Sequence, residues 1–141
     1  MKISKTTYNR LLKTAKAAFK NSYSPYSNYR VAAAVLAKSG KIYGGTNIEN
    51  ASYGLSMCAE RCAVFKAVSE GEKEIKAVFI IVSQNPTAPE ASPCGACRQV
   101  IAEFARPDTP IYILNLEDSK KVIMHTLKEY LPYAFTPKNL E

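Results

Sequence analysis

No stretch of this chain is built to leave water. Its longest strongly apolar run, AVFIIV at 77–82, is far too short to span a bilayer. The N-terminus, MKISKTTYNR, has no apolar core of the signal-peptide kind. There is no internal repeat, no low-complexity segment and no linker that would divide the chain. Cysteine is scarce, four in 141 residues, and without a secretion signal a disulfide framework is not expected. Acid is missing from the first 20 residues, where Lys2, Lys5, Arg10, Lys13, Lys16 and Lys20 stand unopposed. These absences argue against a membrane or secreted protein and predict a cytoplasmic one. What remains is an ordinary globular composition, 47% hydrophobic and 22% charged, and residues 1–141 read as a single domain.

The net charge is +7. A basic N-terminal segment can mark a nucleic-acid or anionic-membrane patch. Here Tyr8, Leu11, Leu12, Ala15 and Phe19 form an apolar stripe at helical spacing, so the lysines read as the solvated face of an amphipathic helix over 4–20. NSYSPYSN, 21–28, is a turn-rich loop. YRVAAAVLA, 29–37, and KIYGGT, 41–46, read as a hairpin turning at Lys38-Ser39-Gly40. NIENASYGLSM is polar and irregular, a candidate for function.

Helix is expected from about Cys58 to Glu70, with Ala63, Phe65, Ala67 and Val68 as its apolar content and Gly71 as its stop. KAVFIIVS, 76–83, reads as a buried strand, and CGACRQVIAEFA, 94–105, as a helix. PIYILN, 110–115, is another strand, and KKVIMHT, 120–126, a further one before a short helical turn ending at Pro132. The alternation of strand and helix predicts an α/β fold with a largely parallel sheet covered by helices. In such sheets sites form where helices start beyond the strands' carboxyl ends.

All four cysteines lie in two windows, SMCAERCAVF and SPCGACRQV, at the two expected helix starts. A helix N-terminus stabilises thiolate, the form that binds metal. Sulfur-rich tetrahedral sites suit zinc. Cys58, Cys62, Cys94 and Cys97 together would close a purely structural site. Three of them would leave a position open for chemistry. Glu60 favours the second arrangement, since a hydrolytic metal site needs a base. Arg61 and Arg98 each sit beside a site residue and could offset the charge of three thiolates. C-A-E at 58–60 with P-C-G-A-C at 93–97 matches the zinc-deaminase signature, three metal ligands plus a non-ligating Glu.

At this point the sequence resembles a known family. YSPYSNYRVAAAVL, NIENASYG, CAER and PCGACRQV, with EYLPYAF near the end, are similar to the motifs of short, homotetrameric cytidine deaminases. The resemblance runs from about Tyr23 to Phe135. It implies a single three-layer domain with a mixed five-stranded sheet flanked by helices. It implies one zinc per chain on Cys58, Cys94 and Cys97, with Glu60 as the proton shuttle and Arg61 on the thiolates. Asn47 and Glu49 would hold the ribose 3′-hydroxyl, the backbone at Ala59 the pyrimidine carbonyl. Tyr29 would pack near the base, and Phe135 would reach a neighbouring subunit's site in a homotetramer.

The implied reaction is hydrolytic deamination of cytidine and deoxycytidine to the uracil nucleosides with release of ammonia, a step of pyrimidine salvage. The chain departs from the family pattern at Cys62, often Thr or Ser, at Ala32, usually Gly, and at Tyr29, usually Phe. With an open site, Cys62 reads as a small buried helix residue. A carboxylate at Glu49 close to the 3′-hydroxyl would repel a 3′-phosphate by about 4 kcal/mol at ~4 Å and an effective dielectric of about 20. That favours a free nucleoside over a nucleic-acid substrate. Two other classes remain: a binding module with a structural four-cysteine zinc, and a deaminase of RNA, single-stranded DNA or a nucleoside antibiotic.

Overall fold

The computed structural model describes residues 3–118 and 121–141, so Lys2 of the basic segment and Lys120 at the start of the last expected strand lie outside them. The first helix, α1 (Lys5–Phe19), begins where Ser4 Oγ accepts from Thr7 N at 3.1 Å. Two strands follow, β1 (Val31–Ala37) and β2 (Ile42–Thr46), then α2 (Ala59–Ser69), β3 (Ile75–Val82), α3 (Gly95–Phe104), β4 (Pro110–Asn115), β5 (Val122–Thr126) and α4 (Leu127–Tyr130). Gly40 turns the β1–β2 hairpin at φ 87° and Gly71 follows α2 at φ 98°, both in the left-handed region that favours glycine.

The five strands form one mixed sheet in the order β2-β1-β3-β4-β5. The mixed sheet and its flanking helices agree with expectation, but among the described strands of the sheet only β3 and β4 pair in parallel. Pairs β1–β2, β1–β3 and β4–β5 are antiparallel. The strands joined through α2 and α3, namely β2, β3 and β4, do run one way. The hairpin partner β1 is inserted between β2 and β3, and β5 returns along the edge, so most neighbours oppose each other.

Side chains alternate across this sheet with the period of two that strands impose. Ala33, Val35, Val78, Ile80 and Val82 face α2 and α3, joined by Ala63, Val64, Ala67 and Ile101. Ala34, Ala77, Phe79 and Ile81 face α1 and meet Leu11 and Ala15. The result is three layers with two cores. Fully buried Phe79, Leu11 and Ile101 each stabilise the fold by about 1.5–3 kcal/mol. Phe65, on the outer side of α2, is 43% exposed.

Two glycines let the layers close. Gly44 faces α1, where an added Cβ would lie 3.1 Å from Thr14. Gly45 faces α2, where a Cβ would lie 2.4 Å from Ala63 N and 2.8 Å from Ala59 O. Only a residue without Cβ allows β2 to touch the first turn of α2 so closely.

Candidate active site

Helices α2 and α3 both start at the end of the sheet where β3 and β4 finish. Cys58 is the N-cap residue of α2 and Cys94 that of α3. Cys94 Sγ accepts from Cys97 N at 3.5 Å, which turns Cys97 inward. The sulfur atoms of Cys58, Cys94 and Cys97 all lie within 4.8 Å of one another. Cys62 falls outside this group, although it is one helical turn from Cys58. An N-cap residue has extended backbone (φ −74°, ψ 152° at Cys58), so spacing of four does not put the two on one helix face.

The donor set fits zinc. Four-coordinate zinc with Zn–S bonds of about 2.3 Å places neighbouring sulfurs about 3.8 Å apart. The Cys58 and Cys94 sulfurs are 3.8 Å apart. Three thiols this close cannot all ionise without a cation. Cys97 donates to the Cys58 sulfur and, with Arg61 assisting, holds that thiol down at about 5. The same hydrogen bond, together with burial, pushes the Cys97 thiol up. Arg61 Nη2 stands 3.4 Å from Cys58 Sγ and supplies the positive charge beside the sulfurs. Its Nε is buried and has no hydrogen-bond partner among the described residues.

Glu60 lies in the first turn of α2 and is 6% exposed. Burial pushes its carboxyl up to about 7, and negative charge on Cys58 adds to that effect. It lines a cavity of about 250 Å³ with Tyr29, Asn47, Glu49, Ala59, Cys58 and Cys94. Ala59 N–H belongs to the first turn, outside the helix's own ladder, whose first bond is Cys62 N to Cys58 O at 3.2 Å. A carboxyl that exchanges a proton near neutrality, beside a cluster of thiols and a free backbone donor, can serve hydrolytic proton transfer.

The far wall is built by the serine-rich loop before β1. Asn47 Oδ1 accepts from Val31 N at 3.0 Å and from Ser22 Oγ at 2.5 Å, and its Nδ2 donates to Tyr29 O at 2.7 Å. Glu49 Oε1 accepts from Tyr26 N at 2.9 Å and Ser27 N at 3.1 Å, while Oε2 accepts from Ser27 Oγ at 2.5 Å. The Ser27 hydroxyl is the main cause of the lowered Glu49 carboxyl. Ser22 and Ser27 were legible only as turn formers; nothing in their spacing marks them as supports for Asn47 and Glu49. Tyr29 rims the cavity, its phenol pushed up by burial and by nearby Glu60.

Phe135, expected at a neighbouring subunit's site, does not line this cavity; it is 58% exposed, and its carbonyl accepts from Gln99 Nε2 at 2.9 Å. Arg98 does not reach the sulfurs. It donates to Pro93 O at 2.6 Å, Tyr130 O at 2.8 Å and Ser92 Oγ at 3.0 Å, and lies over the Tyr130 ring. The expectation that Arg98 offsets thiolate charge is therefore corrected: in helical phase it faces α4, and it lashes the turn before Cys94 to that helix.

Comparison with known proteins follows the same line. Residues 5–113 match the family model for the cytidine and deoxycytidylate deaminase zinc-binding region. The cytidine deaminase of Halalkalibacterium halodurans is 46% identical over 130 residues, 92% of this chain and 95% of that protein. The cytidine deaminase of Sporosarcina psychrophila is 44% identical, covering 93% of each. A crystal structure of cytidine deaminase from Burkholderia pseudomallei superposes with a TM-score of 0.81 at 39% identity, over 91% of this chain and 98% of that one.

Proposed function

The chain belongs to the cytidine and deoxycytidylate deaminase family, and we infer that it converts cytidine and deoxycytidine to uridine and deoxyuridine with release of ammonia. It is a hydrolytic, zinc-dependent enzyme by that membership. One observation carries the reading: three sulfurs at two helix N-termini share a cavity with a buried carboxyl that is not among them. Cys58, Cys94 and Cys97 would hold one zinc per chain. When bound, zinc supplies a water acidified toward neutrality.

The remaining roles belong to side chains on this chain. Glu60 takes one proton from the attacking water and delivers it to ring N3, then takes the second proton from the oxygen now on C4 and passes it to the departing amine. One carboxylate serves both steps because they are sequential. Arg61 stabilises the negative charge of the thiolates. The Ala59 N–H meets the pyrimidine carbonyl, Asn47 and Glu49 hold the ribose 3′-hydroxyl, and Tyr29 packs near the base. The pre-arranged Glu49 carboxylate supports a nucleoside without a 3′-phosphate.

Residues 1–141 act as one domain, an assignment supported by the ties from α3 to Tyr130 and Phe135. The homotetramer with shared sites is supported by exposed Tyr53, Leu55, Tyr133 and Phe135, apolar surface available to other copies. No helix among the described residues is long and apolar enough to cross a membrane. The substrate class supports a role in pyrimidine salvage, and a cysteine set assigned to zinc rather than to disulfides is in keeping with a cytoplasmic protein. The lysines of α1 lie on the sheet face opposite α2 and α3, away from the cavity, which favours a small substrate over a polymer.

The test is ammonia release from cytidine, deoxycytidine, cytidine monophosphate and a short cytosine-containing RNA, with zinc counted per chain. Activity confined to the nucleosides, with one zinc, is the expected result. Equal activity on the RNA would overturn the sugar-site assignment.

A further inference from the structure

A hydrogen-bonded bridge spans the rim of the cavity, and no step of the reaction uses it. Tyr29 Oη donates to Gln84 Oε1 at 2.8 Å, and Gln84 Nε2 donates onward to Pro89 O at 2.9 Å. The Gln84 backbone is held as well. Its N–H donates to Asn115 Oδ1 at 3.2 Å and its carbonyl accepts from Asn115 Nδ2 at 3.0 Å. Asn115 ends β4 and pairs with Val82, so Gln84 is anchored to the parallel strand ends that support the site. Both polar atoms of its side chain are committed, one to each side of the rim.

Those two sides are different walls. Tyr29 belongs to the wall that carries Asn47 and Glu49. Pro89 belongs to the loop 83–93, whose Ala91 and Ser92 line the cavity opposite. That loop also forms a partition. On its other side lies a second cavity of about 160 Å³, lined by Gln84, Glu90, Asn115 and Lys121, and Ala91 and Ile113 line both. A further tie of the loop is the contact of Glu90 with His125 Nε2 at 3.3 Å, between exposed groups. Exposed pairs of this kind hold weakly. Arg98 holds the loop's far end at Ser92 and Pro93, so it is the stretch between Asn85 and Ala91 whose place rests on the bridge.

We propose that Gln84 is a positioning residue for pyrimidine binding: by joining the Tyr29 hydroxyl to the 85–91 loop, it sets the separation of the two walls and limits the size of substituent a cytidine ring can carry. The proposal rests on the nucleoside reading above. Removing either half of the bridge frees the loop to yield into the second cavity, and larger ring substituents then fit.

The experiment compares wild type, Tyr29→Phe, Gln84→Ala and the double variant. Steady-state kinetics are measured on cytidine and on cytidines carrying a methyl or ethyl group at ring C5. Amide exchange is followed in peptides spanning 84–92 without substrate. Each single variant is expected to raise the preference for the substituted nucleoside by about 3- to 10-fold, chiefly through KM, the scale of one lost hydrogen bond. The double variant should go no further than the larger single effect, because both changes break one bridge. Exchange in 84–92 should quicken in all three variants.

Additive effects, an unchanged preference in Gln84→Ala, or unaltered exchange overturns the proposal. If Gln84→Ala does not fold, Tyr29→Phe, which keeps the ring, decides through the same two readouts. A zinc-loaded wild type that deaminates no cytidine overturns the function itself. An active enzyme with unmoved preference overturns the bridge alone.

Discussion

The two helix starts that bring the sulfurs together are held in place by opposite means. The start of α2 rests on backbone contact: Gly45 of β2 has no Cβ, and Ala59 O and Ala63 N fill the space one would take. The start of α3 is tied by a side chain, with Arg98 spanning Pro93 O, Ser92 and Tyr130 O. They differ in cargo too. The α3 turn offers two sulfurs three residues apart, Cys94 and Cys97. The α2 turn offers one sulfur, then Glu60 and Arg61. One turn supplies most of the donor set and the other most of the chemistry. An arginine close behind the cysteine in each window therefore does different work, decided by helical phase and by what each helix packs against.

The sharpest division of that comparison is between holding the metal and moving protons. Cys94→Ala, on the α3 side, is expected to abolish both zinc content and activity. Glu60→Gln, on the α2 side, should keep one zinc per chain and lose turnover by about 10²–10⁴-fold, because an amide cannot shuttle protons. Metal analysis beside ammonia release separates the two. Loss of zinc in Glu60→Gln would make Glu60 a ligand and erase the contrast between the turns.

Next in size are the two anchors. Gly45→Ala pushes a methyl group into the backbone of α2, and overpacking of this kind costs about 1–3 kcal/mol. The variant should melt at a lower denaturant concentration and release zinc more readily to a chelator. Arg98→Ala removes three hydrogen bonds at the α3 turn and should destabilise by about 2 kcal/mol. Arg98→Lys should recover little, since an ammonium cannot reproduce a planar fork that also lies over a ring. Full recovery by lysine would mean that only charge matters there, as the uncorrected reading of Arg98 supposed.

These anchors also mark where the sequence stopped being legible. The elements themselves were readable, because amphipathic spacing in α1, the apolar run of β3 and the glycine after α2 are local signals. The sulfur cluster was readable because its chemistry forces spacing. The order of strands was not: whether β1 slips between β2 and β3 depends on pairing energies that no local pattern encodes. Arg98 was misread because its partners, Tyr130 and Pro93, are brought to it by the fold. The bridge through Gln84 was invisible for the same reason; Pro89 is near in the chain, but Tyr29 and the anchoring Asn115 are 55 and 31 residues away.

The smallest expected effect tests the asymmetry most directly. Cys62→Ala should keep one zinc per chain and most of the activity, with a stability loss of about 1 kcal/mol from the small space left in a half-buried site. The reasoning is geometric. Cys58 precedes regular helix, so its sulfur turns toward Cys94 while the Cys62 sulfur, one turn on, lies outside the group. Burial pushes the Cys62 thiol up. A fourth thiolate on the metal would also fill the position that water needs, and Glu60 would have no proton to move. Zinc content measured on Cys62→Ala beside Cys58→Ala decides the matter. Equal loss from both variants would make the site closed and the two turns alike, each contributing two sulfurs and no chemistry.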